Sequence, residues 1–153
     1  MSFKILVKAK QFFPYLYLPK IETMKQKTII IIAAIFGGIS VIMGAMGAHA
    51  LKAVLEPQAL QSYLTGTRYN MYHAIALLAI AGNIQYLNQK WLKLSVNLIM
   101  IGTILFSGSI YLLSTASISG IEMGKILGPV TPIGGLLLIL GWFSVIMAAF
   151  KQQ

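Results

Sequence analysis

The chain has no cysteine, which excludes disulfides, thiolate metal sites and cysteine nucleophiles together. It is also poor in charge. Only 10% of its 153 residues are charged, with three acids, one arginine and two histidines among its polar groups. Two histidines and one nearby acid without tight spacing do not make a metal site, so none is expected, and no catalytic constellation is visible. The acids and cations are also unevenly placed. None falls within residues 29–48, 74–89, 94–121 or 126–150, and proton- or ion-coupled transporters normally carry such groups there as relays.

What is there is apolar surface, at 58% hydrophobic residues, more than a soluble domain of this size could bury. Spanning the hydrocarbon core takes roughly 20 apolar residues in a helix. Four runs meet or approach that length: Thr28 to Ala50, Tyr69 to Leu87, Leu94 to Ala116 and Thr131 to Phe150. The expected fold is all-α, a polytopic membrane protein of four transmembrane helices, with no soluble catalytic domain. Residues 28–150 form that domain. Residues 1–27 form a basic, aromatic extension, interfacial through Phe12, Phe13, Tyr15 and Tyr17 or else a disordered tail, and residues 151–153 form a C-terminal tail.

The net charge of +9 does not point to nucleic acid, because six of the twelve cations precede the first apolar run. Flanking lysines mark a cytoplasmic membrane end. The N-terminus, the turn between the second and third runs and the C-terminus carry nine cations against three on the other side, so both termini are expected on the cytoplasmic or matrix side. With Met24 as the start, the bias narrows to five against three.

The first run carries Ser40-xxx-Gly44 and Gly44-xxx-Ala48, and the last carries Gly134, Gly135 and Gly141. Small residues at helical spacing let backbones approach closely, which drives packing in lipid, within the chain or across a homo-oligomer seam. Between the first two runs, Glu56-Pro57 suits a helix start, and Leu60, Tyr63 and Leu64 share one face. The expectation is a short interfacial amphipathic helix, broken at Thr65-Gly66-Thr67, with Thr67 capping the second membrane helix. Asn88 to Lys93 reads as an interfacial turn presenting Trp91, and Thr131-Pro132 as the cap and first turn of the fourth helix.

Most of the distinctive polar chemistry lies between Gly44 and Leu78. His49 and His73, at facing helix ends, would contact each other if the bundle brings them together, as metal or axial haem ligands or as histidines bonded to carbonyls, Tyr69 or Tyr72. Arg68, with Tyr69 and His73, would grip an anionic headgroup or a quinone carbonyl, or instead pair with Glu56. No cofactor is assigned; haem and quinone are the alternatives such a site would admit.

Read together, GAMGAHALK (Gly44 to Lys52), TGTRYNMYHAIALL (Thr65 to Leu78), FSGSIYLL (Phe106 to Leu113) and LGPVTPIGGLLLILGW (Leu127 to Trp142) resemble the domain-of-unknown-function 423 family. These are small four-helix membrane proteins, whose animal members are called transmembrane protein 256. The resemblance covers roughly Lys25 to Phe150 and implies an integral protein of bacterial inner (plasma) or mitochondrial membranes, without catalytic residues to transfer. The stretch from Ser114 to Lys125 is longer than the family's usual connection. The expected role is a non-enzymatic accessory or scaffold protein that packs against a larger membrane complex or lipid. The alternatives are a quinone, haem or lipid site under residues 51–68, and an oligomeric channel or transporter.

Overall fold

The computed structural model describes residues 25–120 and 124–150. Residues 1–24 of the N-terminal extension, Glu122 and the C-terminal tail lie outside the described residues, while Gln26 and Lys27, expected in the extension, begin the first helix. Four long helices dominate: α1 (Gln26–Ala48), α2 (Pro57–Gly82), α3 (Gln89–Ser114) and α6 (Val130–Phe150). Two short ones, α4 (Ala116–Ser119) and α5 (Gly124–Leu127), lie between α3 and α6. At 1.5 Å per residue the long helices run about 30 to 40 Å, enough for the hydrocarbon core.

Among the described residues three segments are long and apolar enough to cross a membrane, Gln26–Ala53, Gln89–Ser114 and Gly124–Phe150. The α2 helix is as long as α3 but less apolar, because its first half carries Gln58, Gln61, Ser62, Thr65, Thr67 and Arg68. It still packs along its whole length. Ser40 Oγ donates to Thr67 O at 2.8 Å, Asn70 Nδ2 to Phe36 O at 3.2 Å and Gln26 Nε2 to Ala81 O at 2.9 Å, which sets α1 antiparallel to α2. Broad helix contacts join α1 to α2, α2 to α3 and α3 to α6, so α1 and α6 form the two edges of the array.

The expected break at Thr65-Gly66-Thr67 is absent, and the amphipathic segment forms the first turns of α2 itself. Thr65 and Thr67 do not cap a new helix; their hydroxyls donate back to Gln61 O and Tyr63 O, one turn earlier. Gly66 stays helical because its bare face receives Ile110 and the Tyr111 ring, each about 3.1 Å from where a Cβ would stand. Two further boundaries move. The second apolar run ends as α-helix at Gly82 and continues as a 3-10 turn, Ile84–Tyr86. Residues 89–93 belong to α3 rather than a turn, since Asn88 Oδ1 accepts from the amides of Lys90 and Trp91. At the start of α6 the Thr131 hydroxyl bonds Ser109 at 2.7 Å, not its own helix, and the helix begins at Val130.

The tightest seam is α3 against α6. Gly134 faces the Phe106 backbone, Gly102 faces Leu138 and Gly141 faces Ile99, so each small position takes a bulky partner or bare backbone across the interface. Such exchange is what lipid-embedded helices rely on, because lipid removes the hydrophobic drive between them. A cluster of Ile29, Ala33, Phe36, Ala74, Leu77, Ile80, Leu92, Val96 and Ile99 fills the end near the α2–α3 turn. Leu51, Leu55, Tyr63 and Tyr111 close the other end. Outside, Ile31, Ile35, Ile104, Ile139 and Phe143 are all exposed, the surface expected to meet acyl chains.

Candidate functional site

His73 occupies the middle of α2 and is 5% exposed. Its surroundings fix its tautomer. An indole N–H only donates, so Trp142 Nε1 at 3.3 Å makes His73 Nε2 an acceptor. The ring proton therefore sits on Nδ1, which donates to Tyr69 O at 2.7 Å. Both nitrogens of a neutral imidazole are engaged, and a metal or haem iron would have to displace the indole to reach the lone pair.

His49 lies elsewhere. It is exposed at the C-cap of α1. The antiparallel register places His73 beside the first half of α1, roughly 20 Å of helix away from His49. The two histidines are therefore not brought together, and the paired-ligand arrangement is not formed. Arg68 is exposed and bonds Leu64 O and Thr65 Oγ1 on its own helix, each at 3.3 Å. It makes no ion pair with Glu56, because an unbroken α2 holds the two about 18 Å apart. Tyr69 stands exposed beside Phe106, with ring centroids 4.9 Å apart, one turn from His73. Among the described residues no group of three His, Asp or Glu is placed to hold a metal.

Of the small residues, Ser40 and Gly44 face Thr67 on α2, while Ala48 is exposed. Gly134 and Gly141 press on α3, and Gly135 lies against the Phe106 ring at ordinary contact distance.

A second polar group sits where α1, α2 and α3 meet. Tyr63 is 1% exposed, donates to Met43 Sδ at 3.6 Å and packs against the Tyr111 ring, tilted by 51° with centroids 5.1 Å apart. The Tyr111 hydroxyl lies buried beside Thr67 and Asn70 without an aligned hydrogen bond, and the Ser107 hydroxyl one turn earlier is also unpaired.

Sequence reasoning missed the His73–Trp142 pair, and it placed a site under residues 51–68 without its lining: a cleft of about 450 Å³ there is bounded by Glu56, Gln58, Ala59, Ser62, Ser114 and Thr131 among others, and not by His49, Arg68, Tyr69 or His73. Both left signals. Tryptophan favours membrane interfaces, so Trp142 deep in an apolar run requires an acceptor at depth. Glu56-Pro57 starts a helix without a side-chain cap, which leaves amides free.

Residues 43–135 match the family model described as "Protein of unknown function (DUF423)". The chain is 38% identical to a UPF0382 membrane protein of Haemophilus influenzae, covering 85% of this chain and 98% of the relative. It is 38% identical to the UPF0382 membrane protein YwdK of Bacillus subtilis, covering 82% and 98%. It is 39% identical to the UPF0382 membrane protein C1782.12c of Schizosaccharomyces pombe, covering 76% and 96%. No solved structure matches the chain.

Proposed function

Since this chain belongs to the DUF423 family of membrane proteins, we propose that it is a non-enzymatic accessory or scaffold protein whose α1 docks on a larger membrane protein. The observation that carries the reading is the outward face of α1. Ala34, Gly38, Val41, Ala45 and Ala48 are all exposed, and their spacing of four, three, four and three places them on one stripe. That stripe lies opposite Phe36, which faces α2. A Cβ at Gly38 would meet nothing within 4 Å. Acyl chains need no small residues to lie against; a second helix approaching closely does. The edge position of α1 leaves room for such a helix.

Purification in mild detergent is expected to recover the chain with a larger membrane protein at fixed stoichiometry. The double variant Gly38→Leu, Ala45→Leu should lose that partner while keeping its own helix content and thermal stability, because neither position supports the bundle. A lone monomer, or a homodimer with nothing else, would contradict the reading.

A further inference from the structure

The cleft between the start of α2, the end of α3 and the start of α6 has features that helix packing does not require. Its volume falls within the range of small-ligand sites. At its α2 wall, the Leu60 amide is bonded to Glu56 O, Pro57 has no N–H, and the Gln58 and Ala59 amides have no partner. They stand at the positive end of a 26-residue helix. Ser114 on the opposite wall is 7% exposed, yet its hydroxyl makes no hydrogen bond, not even to the preceding turn. The oxygen is accessible rather than sealed in the protein, so it is open to a group that enters the cleft Ser114 lines.

The charges narrow what that is. Two free amides and the helix dipole favour a phosphate. The Glu56 carboxylate, which caps nothing and is exposed on the same rim, opposes a plain anion and favours an ammonium. A group carrying both satisfies both. The remaining walls, Ala59, Ile110 and Leu113, are apolar, and the cleft lies where α2 and α6 begin and α3 ends.

We propose that this cleft seats the headgroup of an amine-bearing phospholipid. Its phosphate takes the Gln58 and Ala59 amides and the Ser114 hydroxyl, its ammonium takes Glu56, and its acyl chains leave past Ile110 and Leu113. The site is independent of the α1 docking face, since α1 contributes no residue to it.

The test is native mass spectrometry of the full chain in detergent, titrated with phosphatidylethanolamine, phosphatidylglycerol and phosphatidylcholine of matched acyl chains. One phosphatidylethanolamine per chain is expected to bind about tenfold more tightly than either other lipid, the worth of one charge-assisted contact. Glu56→Gln should reduce phosphatidylethanolamine to the level of phosphatidylcholine, and Glu56→Lys should turn the preference toward phosphatidylglycerol. Glu56 is exposed and its carboxylate makes no hydrogen bond, so both variants keep the fold. Equal retention of all three lipids, wild-type preference for phosphatidylglycerol, or an ethanolamine preference that survives Glu56→Gln would each overturn the proposal.

Discussion

Replacing Gly134 by alanine is expected to lower the unfolding free energy by about 2–3 kcal/mol, the upper part of the range for overpacking a dense interface. The added Cβ would stand 2.5 Å from the Phe106 backbone nitrogen and 2.8 Å from its Cα. Backbone cannot rotate aside as a side chain can, so α6 has to move off α3. That movement also loosens Gly102 against Leu138 and Gly141 against Ile99, along the same seam. The neighbouring Gly135 supplies the contrast. Its Cβ would meet only the Phe106 ring at 3.7 Å, so Gly135→Ala should be tolerated within about 0.5 kcal/mol, helped by the better helix propensity of alanine. Detergent-driven unfolding of the two variants side by side checks both.

The second large effect is at Tyr63. Its ring fills the space between Gly47, Met43 and Tyr111 and is almost wholly buried, so Tyr63→Ala leaves a cavity where α1, α2 and α3 meet. A loss of about 3 kcal/mol is expected, at the low end for deleting a buried aromatic ring, because helix packing in lipid lacks the hydrophobic contribution. Tyr111→Phe should behave differently. It removes a buried hydroxyl that has no aligned bond and leaves the tilted ring contact intact, so stability should change by less than about 0.5 kcal/mol or rise slightly. The same unfolding measurement separates the two tyrosines.

These residues also show what could be read from the sequence. The helices α1, α3 and α6 follow from long uncharged runs, because length and apolarity are local properties and the bilayer demands a helix. The start of α2 does not follow. Thr65, Gly66 and Thr67 are turn formers in water, and only the Tyr111 ring against Gly66, 45 positions along the chain, shows why the helix passes through them. His73 was visible as one of two histidines but was placed at a helix end; its partner Trp142 lies 69 residues away, and the tautomer depends on that indole. Pairing His73 with His49 failed for the same reason: helix register, a long-range property, separates them. Glu56-Pro57 did mark the helix start, yet the cleft beside it also needs Ser114 and Thr131 from two other helices.

Four crossings require α2 to span the membrane although it is the least apolar of the four long helices. The absence of native cysteine makes the measurement direct: single cysteines at Lys27, Lys52, Lys90 and Phe150, all exposed, labelled in intact cells by a membrane-impermeant maleimide. Four crossings place Lys27, Lys90 and Phe150 together on the cytoplasmic side, protected until the cells are opened, with only Lys52→Cys labelled from outside. If α2 lay along the surface, Lys90→Cys would label with Lys52→Cys, Phe150→Cys would fall opposite Lys27→Cys, and the four-helix account would be contradicted.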